Sequence, residues 1–349
     1  MKKKLIALLL LGALMLSTAV SCDIATPTPT PRSKQYYEYF NTVSVITSYL
    51  GDTEDEFTDN CNVVDSILSE YHRLFDIYYE YSGINNLKTV NKNAGVSPVE
   101  VSPKLIDFLL WAKEMYTLTG GEVNIALGSV LSLWHDAREA ASVSPNLARI
   151  PSMDELTEAM EHTSIDGLII DEENCTVYLS DSEMSLDVGA LGKGYAAEAA
   201  RRALIDMGVS SYVLNIGGNI SAIGTKPDGN AWRTSVKSPH EAGEYALTVN
   251  LKDTSCVTSG DYERYFIYEN KKYHHIIDKD TLMPSEYFSS ITVITPDSAL
   301  ADALSTALFS MSYEDGLSLV KGIEGVDVYW ISTDGDEYMT DGIREIISG

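Results

Sequence analysis

Residues 165–180, IDGLIIDEENCTVYLS, decide the class of fold. Two runs rich in apolar and β-branched residues flank the polar segment 171–174, and this pattern predicts a β-hairpin. Further strands are predicted at SYVLNIGGNISAIG, YALTVNLKD, ERYFIYENKKYHHIID, SSITVITP and VDVYWIS. Hairpin connections outnumber strand–helix–strand crossovers here, so the sheet is expected to be mostly antiparallel.

Helices are predicted on both sides of this strand-rich middle. Apolar residues recur there at steps of three and four, which is the period of an amphipathic helix. The predicted helices are 59–78, 102–118, 125–141, 152–162, 192–207, 298–311 and 314–321. Helices cluster early in the chain, strands dominate the middle, and helices and strands alternate near the end. This order indicates an α+β fold, with helices packed on a mixed, mostly antiparallel sheet.

The first residues, MKKKLIALLLLGALMLSTAVSC, have the pattern of an export signal. Three lysines precede an apolar run of roughly 12 residues, which is shorter than the ~20 that a membrane-spanning helix needs. We predict a lipoprotein signal over 1–21, with Cys22 lipid-anchored at the extracytoplasmic face of the cell membrane. An ordinary signal peptide is the alternative. The Thr/Pro-rich segment 22–35 predicts an extended tether, and a folded domain is expected over 36–349.

The charge of the chain excludes one broad class of function. The formal net charge is −26, and removal of the signal's three lysines moves it to about −29. Such a chain repels phosphate backbones, so general nucleic-acid binding is not expected. An anionic ligand would need local backbone N–H groups, a metal ion or single lysines. Cys61, Cys175 and Cys256 have no spacing that predicts a disulfide framework or a zinc site.

Residues 185–195, SLDVGALGKGY, resemble a phosphate-binding loop at first sight. A P-loop needs four residues between its first glycine and Gly-Lys, followed by Ser or Thr. Here two residues separate Gly189 from Gly192, and Gly194 follows Lys193. The P-loop interpretation therefore fails. What remains is a glycine-rich turn before a helix N-terminus, where an anion is favoured, or a tight turn with a surface lysine.

Two other segments carry candidate polar residues. Asp302 lies among apolar residues of a predicted helix, with Ser305 and Thr306 on the same face; these oxygens suit a hard cation such as Mg²⁺, unless the helix rim faces water. His274 and His275 end a predicted strand, so only one of them can face a given site. A His/Asp pair with Asp278 could perform acid–base chemistry, the alternative being a structural histidine.

The order of five motifs resembles the ApbE family of exported FAD:protein FMN transferases. The family motifs are D-x-G-x-x-x-K-G-Y, N-I-G-G-[ND], S-G-D-Y-x-R, H-H-I-[IV]-D-P-x-T-G-x-P and A-D-A-x-x-T-A-L-F. They correspond to residues 187–195, 215–219, 259–264, 274–284 and 301–309. The resemblance covers the chain from Tyr36 onward. It implies transfer of FMN from FAD to a Thr or Ser hydroxyl of an exported or membrane-bound acceptor protein, with release of AMP.

The resemblance also implies roles for individual residues. Mg²⁺ would be held by Asp302, Thr306 and the backbone carbonyl of Ala190. Either His275 or Asp261 would deprotonate the acceptor hydroxyl, and the sequence does not choose between them. The residues implied for the dinucleotide are Phe40, Tyr78, Glu122, Val123, Asn124, Asp187, Lys193 and Ile277.

The chain departs from the family pattern at one turn. Lys279 replaces the proline of the histidine motif, and Leu282 replaces the glycine two residues before Pro284. Both changes alter the expected shape of the turn. Two other functions are compatible with the same motifs: an FAD pyrophosphatase in which water replaces the acceptor hydroxyl, and a flavin-binding lipoprotein without catalytic chemistry.

Overall fold

The computed structural model describes residues 30–49 and 52–348. The predicted signal over 1–21, the predicted lipid anchor at Cys22 and the first part of the predicted tether lie outside the described residues. Within the described ranges, no helix combines the length and the apolar character needed to cross a membrane.

The centre of the fold is a large antiparallel sheet with smaller sheets around it. The strands are β1 (Arg32–Tyr36), β2 (Ser44–Ser48), β3 (Val99–Glu100), β4 (Leu168–Asp171), β5 (Thr176–Leu179), β6 (Ser211–Ile216), β7 (Asn219–Gly224), β8 (Trp232–Lys237), β9 (Tyr245–Leu251), β10 (Ser255–Gly260), β11 (Tyr265–Tyr268), β12 (Lys271–His274), β13 (Phe288–Thr295), β14 (Asp327–Ser332) and β15 (Glu337–Met339). The large sheet has the order β1-β2-β6-β7-β10-β13-β14-β15, and each neighbouring pair is antiparallel.

Helices pack on this sheet and share the core with its strands. They are α1 (Glu54–Phe75), α2 (Leu87–Lys92), α3 (Pro103–Leu118), α4 (Gly128–Val143), α5 (Met153–Met160), α6 (Gly192–Asp206), α7 (Ser298–Phe309), α8 (Tyr313–Lys321) and α9 (Asp341–Ile346). Helix α7 packs on β10 and β13 and also on α6, which in turn packs on α1. The predicted α+β class with a mostly antiparallel sheet is confirmed.

Helix α1 begins and ends earlier than the predicted range 59–78. Thr53 and Glu56 form a capping box, in which Thr53 Oγ1 accepts from the Glu56 N–H and the Glu56 carboxylate accepts from the Thr53 N–H. This arrangement starts the helix at Glu54. At the other end, Asp76 has an extended backbone, and its carboxylate accepts the N–H groups of Tyr78 and Tyr79. Tyr78 therefore lies in a loop.

The folded part of the chain begins at Arg32 rather than at the predicted Tyr36. Strand β1 pairs along its whole length with β2, from Arg32 opposite Ser48 to Tyr36 opposite Ser44. Its side chains are mostly polar, as is common for a strand at a sheet edge, and this hid the strand from sequence analysis. The predicted tether thus includes four residues of the sheet.

The hairpin β11–β12 lies outside the large sheet and is held by helix α4. Trp134 of α4 lies 6.5 Å from the ring of Phe266 and 6.0 Å from that of Tyr273. Its indole N–H also donates to the carbonyl of Leu282 over 2.9 Å. Helix α4, the hairpin and the turn after it therefore form one packed unit, which places His274 and His275 at the end of β12.

Candidate active site

Helices α6 and α7 meet at residues that the sequence analysis assigned to two separate motifs. The N–H of Gly194, in the first turn of α6, donates to Oδ2 of Asp302 over 2.7 Å, and Lys193 Nζ lies 3.7 Å from the same oxygen. A Cβ on residue 194 would come within 2.3 Å of Asp302 Cβ, so the approach requires glycine. Asp302 is 3% exposed, and the N-terminus of α6 together with Lys193 stabilises its buried charge.

Three oxygens at this junction have no hydrogen-bond donor among residues 30–49 and 52–348. They are Oδ1 of Asp302, the hydroxyl of Thr306 one turn later on α7, and the carbonyl of Ala190 just before α6. A carboxylate, a hydroxyl and a carbonyl are the hard oxygen ligands that Mg²⁺ takes in proteins. These donor types fit a magnesium ion, to which Asp302 would supply the carboxylate.

Ser305 does not belong to this donor set, contrary to the interpretation that placed it on the cation face. Its hydroxyl donates to the backbone carbonyl of Asp302 over 3.0 Å and lies 2.8 Å from the hydroxyl of Ser259 on β10. Ser305 therefore ties α7 to the sheet. No cluster of three or more His, Cys, Asp or Glu side chains suited to a metal occurs in the part of the chain that the structure describes.

His275 lies among positive charges. Its side chain is partly exposed, but its Nδ1 atom is buried and has no hydrogen-bond partner among the described residues. Burial is the main cause that lowers the pKa of His275 to about 3, and nearby positive charges contribute; these belong to Arg264, His274, Lys193 and Arg138. His275 is therefore a neutral imidazole at pH 7, with a ring nitrogen able to accept a proton.

Arg138 and Arg264 are site residues that the sequence analysis missed, although Arg264 closes one of its motifs. Neither forms an ion pair with a carboxylate of the described residues, and burial followed by the charge of Arg264 lowers the pKa of Arg138. Arg138 instead donates to Nδ1 of His135 over 2.8 Å. No motif marks Arg138, because its position on α4 acquires meaning only when α4 packs against β11.

Asp187 and Tyr78 face this group of cations. Burial raises the pKa of Asp187, while the Gly189 N–H, at 2.8 Å, and the charges of His135, Arg138 and Arg264 oppose that rise. Tyr78 is 49% exposed, and its ring lies 5.2 Å from that of His135. Burial and the charge of Asp187 raise the pKa of Tyr78. An aromatic face thus lies beside a set of charged groups, an arrangement that suits a ring-bearing phosphate ligand.

Asp261 lies on the other side of β12 from His275. Strand β10 runs to Gly260, and the chain turns from Asp261 onward. Asp261 is 7% exposed; its Oδ2 pairs with Lys272 Nζ at 2.7 Å, and its Oδ1 has no partner among the described residues. With His274 and Ser285 it lines a groove of about 380 Å³.

The possible acid–base pair of a histidine with Asp278 does not form among the described residues. Asp278 Oδ1 accepts the N–H groups of Asp280 and Thr281, so this carboxylate shapes the turn after β12. His274 is the structural histidine of the two: its Nε2 lies 2.8 Å from the carbonyl of Ser285, and its Nδ1 accepts from the N–H of Ile276. Burial lowers the pKa of His274.

The side chains of Glu122, Val123 and Asn124 contact other parts of the protein. Glu122 lies 3.3 Å from Lys279 Nζ, and Val123 is buried. The amide of Asn124 donates to the Thr163 carbonyl and accepts from the Ala126 N–H. A ligand at this edge would therefore contact backbone, with Glu122 as the only one of the three side chains that carries charge.

Phe40 has a left-handed backbone conformation. It and Asn41 have φ values of 54° and 52°, which are unusual for residues other than glycine. The Phe40 N–H donates to Nδ1 of His72 over 3.3 Å, and the two rings lie edge to face at 5.6 Å. Such strained backbone is often held at ligand sites.

Comparison with known proteins supplies the family. The model of the ApbE family matches residues 40–330. This chain belongs to the ApbE family. An FAD:protein FMN transferase of Treponema pallidum (strain Nichols) is 34% identical over 264 residues, 71% of each chain, and one of Klebsiella pneumoniae (strain 342) is 30% identical over 278 residues, 78% of this chain and 84% of that one. The chain is therefore a transferase, and a flavin-binding protein without chemistry is set aside.

Solved structures of the ApbE family have the same fold. The ApbE protein of Thermotoga maritima MSB8 has a TM-score of 0.80 at 26% identity, covering 92% of this chain and all of that one. The apo form of the Pseudomonas stutzeri flavinyl transferase ApbE has a TM-score of 0.74 at 22% identity, covering 92% and 98%. The antiparallel sheet with its helices is thus the ApbE fold.

The turn in which this chain departs from the ApbE motif keeps a glycine-like backbone. Leu282 has φ of 60°, the left-handed region that glycine favours, and it donates to the Asp278 carbonyl. The Leu282 side chain is buried against Trp134, which offsets the strain. Lys279, at the position of the family's proline, pairs with Glu122. Ile277, buried before this turn, bridges to Pro284.

Proposed function

We propose that this chain transfers FMN from FAD to a Thr or Ser hydroxyl of an acceptor protein in a Mg²⁺-dependent reaction that releases AMP. One observation carries the proposal: the buried carboxylate of Asp302 on α7 meets the Gly194 N–H and Lys193 Nζ of α6, which joins two of the motifs in one place. Bound there, Mg²⁺ would neutralise the pyrophosphate and polarise the phosphorus under attack. An acidic chain can then hold a dianion.

The chemical step exchanges one phosphorus–oxygen bond for another. The acceptor oxygen bonds to the phosphorus of the FMN half, the pyrophosphate P–O bond breaks, and AMP leaves with the electron pair. The hydroxyl proton passes to Nδ1 of His275, which is buried and without a partner among the described residues. The dianionic substrate would raise the pKa of His275 from its low value, since it offsets the surrounding positive charges.

His275 is favoured over Asp261 as the base by its surroundings. The imidazole shares its environment with Lys193, Arg138 and Arg264, whereas Asp261 is already paired with Lys272 and faces a separate groove. Dinucleotide binding is assigned to Asp187, Tyr78 and Phe40, with the backbone of the segment that contains Glu122, Val123 and Asn124, and with Ile277 near the turn.

The test of this function is covalent labelling. With FAD and MgCl₂, the enzyme should attach a fluorescent flavin to an acceptor protein that carries a Thr/Ser flavinylation motif, and chelation should stop the reaction. Asp302→Asn should lower the rate roughly a hundredfold, as expected when the groups that stabilise charge in a transition state are lost. Ser305→Ala, on the same helix, should keep the magnesium dependence of the wild type.

The outcome that contradicts the proposal is release of AMP without an acceptor at the rate seen with one. The activity would then be that of an FAD pyrophosphatase, in which water takes the place of the hydroxyl in the same site. Labelling at an unchanged rate in Asp302→Asn would overturn the assigned cation site.

The location of the enzyme is part of the proposal. The pattern of 1–21 supports anchoring through a lipid on Cys22 at the extracytoplasmic face of the membrane, where exported acceptors lie. Cys22→Ser should move the protein from the membrane fraction to the soluble fraction, and mass spectrometry of the wild type should find acyl chains on Cys22. An unmodified Cys22 in the mature wild type would contradict the anchor.

A further inference from the structure

The cation group around His275 contains an arginine that no motif of the chain includes. Arg138 lies on α4, one turn after Trp134, the residue that packs α4 on the rings of Phe266 and Tyr273. Helix α4 contacts β11, the strand that Arg264 immediately precedes. Burial is the main cause that lowers the pKa of Arg138, and the charge of Arg264 is the second.

The register of the hairpin adds His275 to the same place. Tyr265 pairs with His274, so Arg264 and His275 stand opposite each other one step beyond that pair. The ring of His275 is affected by the charges of both arginines and of Lys193. Its Nδ1 is buried and has no partner among the described residues, which leaves an unfilled polar position facing the arginines.

Arg138 and Arg264 both act on the charge of Asp187, but neither forms an ion pair with a carboxylate of the described residues. Within the described ranges, neither Arg138 nor Arg264 lies within 4.0 Å of a carboxylate oxygen. At Arg138 the charges of Glu139 and Asp187 oppose the repulsion from Arg264. Guanidinium groups match phosphate oxygens through two parallel N–H donors, so a bound phosphate would add to this compensation. The arrangement is therefore complementary to a phosphate.

The guanidinium of Arg138 is also held in place. His135, on the preceding turn of α4, receives a hydrogen bond from Arg138 at Nδ1 over 2.8 Å, and the ring of Tyr78 lies 5.2 Å from the ring of His135. His135 accepts this hydrogen bond, so its Nδ1 lone pair points at the arginine and not at an anion. The remaining N–H groups of Arg138 are left for a ligand beside an exposed aromatic face.

We propose that Arg138 is a phosphate-binding residue of this site, which holds one phosphate of the dinucleotide together with Arg264, while His135 acts as its positioning residue. The inference rests on the proposed function and deepens it, since it assigns one phosphate of the dinucleotide to the two arginines. Arg138 would also neutralise the charge that grows on a phosphate as the pyrophosphate bond breaks.

The test measures ligand binding, separately from turnover. Dissociation constants of AMP, adenosine, FMN and riboflavin are measured by calorimetry for the wild type, Arg138→Ala and Arg138→Lys, with Arg149→Ala as matched control because Arg149 is exposed and paired with Glu155. Arg138→Ala should weaken either AMP or FMN roughly ten- to hundredfold, the range for a charge-assisted hydrogen bond to phosphate. Adenosine and riboflavin should bind as in the wild type.

The AMP and FMN affinities distinguish which phosphate Arg138 contacts. Loss of AMP affinity places Arg138 on the adenylate phosphate, and loss of FMN affinity places it on the flavin phosphate; both support the proposal. Arg138→Lys should recover part of the affinity, because lysine keeps the positive charge but lacks the two parallel N–H donors of a guanidinium. Equal weakening of a nucleotide and its phosphate-free nucleoside would overturn the proposal, since the lost contact would then be to the ring or to the fold.

The role of His135 is tested by a double-mutant cycle. His135→Ala should weaken the same nucleotide in the wild-type background and have little further effect in Arg138→Ala, because its contribution acts through the guanidinium. Additive effects would overturn the positioning role. If the wild type transfers FMN while Arg138→Ala binds AMP and FMN unchanged, this inference fails and the proposed function stands. If nucleotide binding depends on Arg138 but no flavin transfer occurs, the proposed function fails and the phosphate site stands.

Discussion

At the scale of single residues, His275 and His274 differ because neighbouring positions on a strand face opposite ways. His274 is held on both ring nitrogens by the carbonyl of Ser285 and the N–H of Ile276. His275 has a buried Nδ1 without a partner among the described residues, and burial lowers its pKa to about 3. The free histidine is therefore the one suited to receive a proton.

The low pKa of His275 makes a prediction about stability. The unfolded chain binds a proton on this histidine below pH 6.5, whereas the folded chain does so only near pH 3, so folding loses stability as the pH falls between these values. At pH 5 the loss from this residue is at most about 2 kcal/mol, at 1.36 kcal/mol per pKa unit.

Urea unfolding at pH 7.5 and pH 5 measures this loss. His275→Gln should lose less stability than the wild type between the two pH values, while the exposed His240→Gln should follow the wild type. An identical pH dependence for His275→Gln and wild type would show that His275 is protonated alike in the folded and unfolded chains.

At the scale of helices and strands, the contact of α6 with α7 depends on one missing side chain. A Cβ at Gly194 would meet Asp302 Cβ at 2.3 Å and the Ser298 carbonyl at 2.6 Å, whereas a Cβ at Gly192 would meet only Phe75 Cδ2, at 3.0 Å. Backbone and Cβ atoms of a packed helix cannot move aside as a side-chain end can. The glycines of this turn therefore serve packing rather than a P-loop.

Gly194→Ala should therefore destabilise the protein, by about 1–3 kcal/mol as is typical for overpacking. Gly192→Ala is the matched control: it lies in the same helical turn and gains the same propensity, but its clash is with a side chain. Thermal unfolding followed by circular dichroism should give a lower midpoint for Gly194→Ala than for Gly192→Ala. Equal midpoints would mean that α7 can move away from α6 at little cost.

At the scale of the whole molecule, the large sheet begins with an edge strand that anchors α1. The Tyr36 side chain is 5% exposed, and its hydroxyl donates to the Cys61 carbonyl on α1 over 2.7 Å. Strand β1 also covers one side of β2, which would otherwise become the exposed edge of the sheet. Residues 32–36 are therefore part of the folded enzyme and not of a tether.

Shortening the chain from its N-terminus tests this boundary. A protein starting at Arg32 should unfold in urea at the same concentration as one starting at Pro31. A protein starting at Tyr37 should lose about 2 kcal/mol or more, the value of burying one large side chain. Unchanged stability for the chain from Tyr37 would place the boundary of the domain after β1.

Sequence patterns predicted the elements whose signals are local. The helix start at Ser102-Pro103, the hairpin of β4 and β5, and helix α7 were each marked by caps, turns or periodicity. Strand β1 was missed because its polar side chains hide the pairing with β2. Strands β8 and β10 were also missed, since each is recognisable mainly through its partner strand.

For the site, the sequence pointed to residues within motifs but not to their neighbours in space. Asp302 and Lys193 were both candidates, and the fold places them 3.7 Å apart. Arg138 was not a candidate, because its position gains a role only through the packing of α4 on β11. The possible pair of a histidine with Asp278 does not form for a similar reason: hydrogen bonds within the turn engage that carboxylate.

Because His274 and His275 face opposite ways, β11 and β12 must pair in the correct register. A slip of one residue in the pairing of β11 with β12 would exchange the two imidazoles, and the histidine beside the cations would be the wrong one. The two-residue turn of Glu269 and Asn270, both at positive φ, sets that pairing in the manner of a type I′ turn. Which of the two histidines lies beside the cations is thus specified at a loop tip, by the count of residues in a turn.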